Sequence, residues 1–278
     1  MQIDLPKNQF PRPVEYLTFY VSDDPVKGVG AVTETESVLG SAGEYQYVFV
    51  HLNEGNVKNY TVQKNIDVVL DPLQKGRKGY MVEVQGELEV MEIVNPTKNI
   101  YRARVKKNLQ LVEVGSLLIP GQLPVIQPKA SNITSGVSAR IMGGSYWGNR
   151  KLFGSDGIVF LDAGASKGFQ DGQTLNIYAD QSLRNGRTEA MINDRVIGTV
   201  KIVRVTPNFA TGYVLTSSLD IVTGDSVGQP RSQAANGAAP AHVEASPSET
   251  DFDLDMDTSP VPPPSQPDTG SSEDDLQL

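Results

Sequence analysis

Between Met81 and Val90 the chain interleaves two sets of residues. Met81, Glu83, Gln85, Glu87 and Glu89 alternate with Val82, Val84, Leu88 and Val90, around Gly86. A period of two sends successive side chains to opposite faces of a strand, and a glycine inside such a run marks a bulge or bend. Two other runs, Tyr16-Leu-Thr-Phe-Tyr-Val21 and Tyr45-Gln-Tyr-Val-Phe-Val50, carry the aromatic and β-branched residues that suit a pleated surface. The second follows a turn signal, Gly40-Ser-Ala-Gly43. Helical periodicity is weak throughout. Val32 to Leu39 is the one stretch worth considering, and its threonines favour a strand or an irregular segment.

The strand pattern recurs. Gly86-Glu-Leu-Glu-Val-Met-Glu-Ile-Val94 lies over Gly198-Thr-Val-Lys-Ile-Val-Arg-Val-Thr206, so that Leu88, Val90 and Ile93 fall on Val200, Ile202 and Val205. In the same register Tyr101 falls on Tyr213 and Ala103 on Leu215; after a gap, the run from Leu109 matches the run from Leu219. Upstream, Val48-Phe-Val50 falls near Val159-Phe-Leu161. Each half therefore has several short strands separated by glycine-bearing turns, which predicts an all-β fold of two tandem small barrel-like modules. The expected layout is an N-terminal extended segment (1–43) packing on the first module, the first module at 44–120, a Pro-rich connector at 121–135 and the second module at 136–230. A disordered acidic tail is expected at 231–278.

Charge supports that division. Of 33 acidic and 24 basic residues, ten acids and one base lie from Arg231 onward, so 23 of each remain before it and the tail holds the net charge of −9. A neutral body lacks the concentrated positive field that phosphate binding needs, which argues against nucleic acid as a partner. Ala, Ser and Pro dominate past Gly228, and seven of the 18 prolines lie in the last 48 residues. Such a segment buries too little apolar area to offset its ordering entropy. Hydrophobic residues make up 38% of the chain, a low share for one large domain but enough for small cores. The chain has no cysteine, which excludes disulfides, thiolate metal sites and a cysteine nucleophile. No apolar run reaches the ~20 residues of a membrane span. Met1 to Pro6 shows no basic stretch leading into an apolar one, so no signal peptide is read there.

The run from Asp156 to Tyr178 (DGIVFLDAGASKGFQDGQTLNIY), followed by Val196 to Val214 and Ile221-Val-Thr-Gly-Asp-Ser-Val227, resembles the β-rich region that follows a LysM peptidoglycan-binding domain in bacterial cell-envelope proteins. The closing phrase is similar to the C-terminal module of flagellar assembly protein T. Pro25-Val-Lys-Gly-Val-Gly-Ala31 and Gly115-Ser-Leu-Leu-Ile-Pro120 extend a looser likeness to the first half, so that residues 14 to 228 are covered. The resemblance implies a periplasmic or envelope location and peptidoglycan nearby. Tyr60-Thr-Val-Gln-Lys-Asn65 shares the opening of a LysM domain, but lacks the Gly-Asp pair and the helix pattern that follow it, so no LysM is read in the chain.

Catalytic chemistry finds few residues to work with. The two histidines, His51 beside a strand and His242 in the tail, do not make one site. Glu83, Glu87, Glu89 and Glu92 alternate with apolar residues as a solvated strand face does. Gly164-Ala-Ser-Lys-Gly168 and Gly172 do not follow the order of a phosphate-binding loop. The expectation is no enzyme, no cofactor and no metal. Two regions are candidates for partner binding. Arg102, Arg104 and Lys106 alternate with Ala103 and Val105 and so share one strand face, suited either to an anionic glycan or headgroup or to plain solvation. The tail motif Asp251-Phe-Asp-Leu-Asp-Met-Asp257 lacks the glycine and distal glutamate of a calcium loop. Its Phe252, Leu254 and Met256 suit a short linear motif for a basic, apolar groove; a solubilising tail is the plainer reading. The leading expectation is a non-catalytic envelope scaffold or adaptor with a protein partner. A cytoplasmic interaction protein and a carboxylate-dependent cell-wall glycan hydrolase are the alternatives.

Overall fold

A computed structural model describes residues 15–53, 57–71, 74–129, 131–145, 152–180 and 195–230, and within these the first elements are two short strands, β1 (Glu15–Tyr16) and β2 (Phe19–Ser22). Eight strands follow: β3 (Gly30–Thr35), β4 (Ser41–Ala42), β5 (Tyr47–Leu52), β6 (Asn59–Leu70), β7 (Lys78–Asn95), β8 (Ile100–Asn108), β9 (Val112–Glu113) and β10 (Leu117–Pro120). Six of these run in the order β7-β6-β10-β3-β5-β8, and pairing of β8 back onto β7 closes them into a barrel. Closure removes the exposed edges that an open sheet would leave. The long β7 extends past the ring, and β2 pairs with its free first half, from Phe19 opposite Glu83 to Ser22 opposite Tyr80.

A connector with β11 (Val125–Ile126), paired to β1, leads to the second set: β12 (Ala139–Gly144), β13 (Leu152–Phe153), β14 (Ile158–Leu161), β15 (Thr174–Tyr178), β16 (Val196–Val205), β17 (Ala210–Ser217), β18 (Ile221–Val222) and β19 (Ser226–Val227). These form a closed barrel in the order β12-β14-β17-β16-β15-β19. Replacing each strand by its counterpart, β3 for β12 through to β10 for β19, reproduces the first barrel's order. The small pairs β4–β9 and β13–β18 correspond as well. The irregularities also match. The β3–β5 pairing slips between Val32 and Glu34, and β12–β14 slips between Ile141 and Gly143. The β7–β8 pairing slips after Glu87 and after Val90; β16–β17 slips after Thr199 and after Ile202. Bulges bend and twist a strand locally, and here they recur at the same corners of both barrels.

Gly86 is such a corner, as its place in the alternation predicts. A Cβ there would sit 2.5 Å from the Lys107 carbonyl oxygen, and one on its counterpart Gly198 would sit 2.4 Å from that of Thr216. The closing turns need glycine for a different reason: Gly115 (φ 87°) and Gly224 (φ 100°) adopt the left-handed conformation.

The match of Gly86 with Gly198 and of Val48–Val50 with Val159–Leu161 is the one the strands make. The later alignment differs. Seven residues separate Ile93 from its partner Tyr101, whereas four separate Val205 from its partner Ala210, so the first hairpin is three residues longer. Arg104, and not Tyr101, is therefore the counterpart of Tyr213; Ala103 matches Gly212; Gly115 matches Gly224. The first barrel also starts earlier than residue 44, because Gly30–Thr35 is one of its staves, bonded to β5 on one side and β10 on the other. Val32 to Leu39 accordingly begins as strand and ends in a turn. The tail expected at 231–278 lies outside the described residues.

Each barrel has its own core. Val48, Val50, Val62, Leu88, Val105 and Leu118 fill the first, and Val159, Leu161, Leu175, Ile177, Val200 and Val214 the second. A third cluster is shared between them. Phe19, Tyr20, Val21, Met81 and Val84 from the first half pack with Met142, Ile158, Phe160, Phe209 and Tyr213 from the second. The second set points outward from its barrel, since the alternate residues Ile141, Val159 and Leu161 point in.

Candidate functional site

Arg102, Arg104 and Lys106 do share one face of β8, and across from them stand the glutamates of β7. The Arg102 guanidinium lies 3.1 Å from a Glu36 carboxylate oxygen and 3.6 Å from one of Glu92. It also stacks 3.9 Å from the centre of the Tyr47 ring. Arg104 donates to Glu89 at 2.9 Å, Lys106 donates to Glu87 at 2.9 Å, and Lys58 reaches Glu89 at 2.8 Å. Hydrogen bonds from Lys58 and then Arg104 hold the Glu89 carboxyl below its usual range, and Glu87 raises the Lys106 ammonium. The two runs that the sequence presents separately, one acidic and one basic, thus face each other as a cross-strand ladder. The basic face is neutralised within the barrel, which leaves little field to attract an anionic polymer.

Behind this ladder Gln85, 1% exposed, ties the barrel's closing turn to β7. Its side-chain oxygen accepts from the Ser116 hydroxyl at 2.7 Å, its amide donates to Glu83 at 3.2 Å, and its carbonyl accepts from Leu109 and Gln110. Burying such a group costs free energy unless every bond is made, so the network serves the fold.

The seam between the barrels holds the other polar cluster. Tyr20 donates to Gln63 at 2.7 Å and lies under the Arg204 guanidinium, 3.8 Å from its ring centre. Burial raises the pKa of the Tyr20 phenol and the Arg204 charge opposes it. The Val21 amide donates to the Thr211 hydroxyl at 3.1 Å. Arg77, from the basic loop at Lys75–Lys78, lies 3.6 Å from Asp71, donates to the Asn208 carbonyl at 2.7 Å and sits 4.9 Å over the Phe209 ring. On the other flank Tyr213 donates to Asp156 at 2.8 Å. Burial first, then hydrogen bonding to the Glu15 and Asp156 carboxylates, holds the Tyr213 hydroxyl protonated well above the phenol range. Burial also raises Asp162, against the Arg140 backbone N–H that it accepts.

The glycine phrase 164–168 takes part in packing. Ala165 and Ser166 donate their amides to the carbonyls of Thr206 and Pro207, so these donors are already occupied. His51 lies within β5, opposite Ile100. Among the described residues no group of three or more His, Asp or Glu side chains is arranged to hold a metal ion, and no helix is long and apolar enough to cross a membrane. Phe252, Leu254 and Met256 lie outside the described residues.

One open surface has no counterpart in the sequence-based expectations. A groove of about 410 Å³ runs along the outside of β3, lined by Thr33, Glu34, Glu36, Val38, Gly40 and Val114 among others. Val38 in its lining is 102% exposed, and Leu39, the next residue in the turn, is 84% exposed. The signal lay in Val32 to Leu39, where exposed polar residues lead into two apolar ones at a turn.

No protein-family model matches the chain, and the search of curated proteins likewise returns no match.

Proposed function

We propose that this chain is a non-catalytic scaffold or adaptor whose two barrels form one body that presents surfaces to protein partners. The observation that carries this reading is the shared apolar cluster at the seam, with Phe160 wholly buried and Tyr20 at 1%. Interdigitated side chains at interior density hold two modules at one separation, which suits a spacer between binding surfaces. The carboxylates and cations of β7 and β8 support the same reading, because they are spent on one another.

The setting proposed is the bacterial cell envelope, in association with peptidoglycan. Its support is the resemblance of residues 14 to 228 to the β-rich regions found beside LysM domains. The test is incubation of the full chain with purified sacculi followed by centrifugation. Pelleting without release of soluble muropeptides is the expected result. A chain that stays in the supernatant would overturn the peptidoglycan association, and released muropeptides would overturn the non-catalytic reading.

A further inference from the structure

The two barrels differ most where their equivalent surfaces should agree. In the second barrel the outer face of β12 and β14 is covered. Residues 141 to 145 are buried throughout, Met142 is 3% exposed beside the end of β6, and Phe160 is wholly buried against the seam formed with β2. The strand register makes Glu34 the counterpart of Gly143, Thr35 that of Gly144, and Phe49 that of Phe160. On the first barrel this same face is open. Thr33, Glu34 and Glu36 are exposed and Phe49 is only half-buried.

The open face is shaped as a groove, and its composition indicates what would fill it. Glu34 forms no ion pair among the described residues, whereas its neighbour Glu36 is engaged by Arg102. Val38 and Val114 supply apolar lining, with exposed Leu39 next to Val38 in the turn; Val114 is 48% exposed and is held beside the turn by the hydrogen bond that its N–H donates to the Gly40 carbonyl. An unpaired carboxylate beside exposed apolar side chains complements a segment bearing a cation next to apolar residues. In the second barrel an extended strand, β2, lies across β14 and β17, the counterparts of the β5 and β8 staves next to the open face, and packs there through Phe19, Tyr20 and Val21.

We propose that the outer face of β3, from Thr33 to Val38 with Val114 and Phe49 beside it, docks an extended polypeptide segment carrying apolar side chains and at least one Lys or Arg. The proposal rests on the adaptor reading in that it supplies the adaptor with a partner surface. It does not depend on peptidoglycan, so a negative sacculus assay leaves it standing.

The probe is acetyl-(Lys-Val)4-amide, with the Glu-Val peptide of equal length as its control, titrated into isotope-labelled full-length chain by amide NMR and by fluorescence anisotropy. Saturable shifts confined to residues 33–40, 49 and 111–116 are expected, with no response to the Glu-Val peptide. Because Val38 and Leu39 are exposed, V38S/L39S keeps the fold and should weaken binding about tenfold; Glu34→Gln should weaken it several-fold. Shifts located elsewhere, an absence of shifts, or equal binding by V38S/L39S and the parent would overturn the proposal. Attraction of the probe to the acidic residues beyond Arg231 gives that last pattern, since neither substitution alters them.

Discussion

Replacing Phe209 by alanine should uncouple the two barrels. Phe209 sits at the tip of the β16–β17 hairpin, 2% exposed, beneath the Arg77 guanidinium and against the backbone of Gly79. Deleting a buried phenylalanine ring costs ~3–5 kcal/mol through lost transfer energy and the cavity left behind. The cation–π contact adds about 0.5–1 kcal/mol. For a folded body of this size each kcal/mol moves the melting temperature by roughly 2–4 °C, so F209A should melt about 7–24 °C below the parent. The sharper readout is cooperativity. The ring bridges two barrels that each own a separate core, so its loss should lower the ratio of van't Hoff to calorimetric enthalpy in scanning calorimetry and split the transition. Leu175→Ala, inside the second barrel's own core and wholly buried, is the control. It should cost ~2–5 kcal/mol without weakening the seam. A drop of less than about 2 °C in F209A, with one unchanged transition, would refute the claim that this cluster couples the barrels.

Three further outcomes are expected. Gly198→Ala places a Cβ 2.4 Å from the Thr216 carbonyl oxygen and should destabilise by ~1–3 kcal/mol in urea denaturation; an unchanged midpoint would show that the corner is not tightly closed. Burial raises the folded-state pKa of Asp162, so its contribution is fully present below the unfolded value near ~3.9 and is lost as pH rises through the folded value. Asp162→Asn, which retains an acceptor for the Arg140 N–H, should therefore gain stability relative to the parent as pH increases from about 3.5 to 7, and urea midpoints showing the reverse slope would disprove the sign. Arg104→Gln removes one of the two cations that depress Glu89 and should move that carboxyl towards its usual range in an NMR titration, while the melting temperature barely changes. A stationary Glu89 would mean that the ladder is not electrostatically coupled.

The class and repetition of this fold were legible in the sequence because both depend on local rules. The alternation around Gly86 reports which residues face a core, and its recurrence around Gly198 reports that the same strand is built twice. Gly115 and Gly224 were visible as turn residues for the same reason. The mismatch of Tyr101 with Tyr213 marks where local reading ends: an insertion of three residues in a hairpin loop is hidden when valines align in several registers, and only cross-strand hydrogen bonds identify the partners. The opposition of Glu87, Glu89 and Glu92 to Lys106, Arg104 and Arg102 depends on that same pairing. Strand composition alone showed one charged face at a time.

What the tertiary structure decided is where these matching faces go. Phe49 and Phe160 occupy equivalent positions, each after a buried valine on matching strands, yet one is half-buried and the other wholly buried. The difference comes from β2, a strand more than a hundred residues distant from Phe160, which joins the first barrel's β7 and lies across the second barrel. Periodicity determines that a side chain points outward from its own barrel; whether solvent or another element waits there is a non-local fact. The seam and the open groove on β3 are two outcomes of one repeated surface, and both became visible only when the barrels were placed side by side.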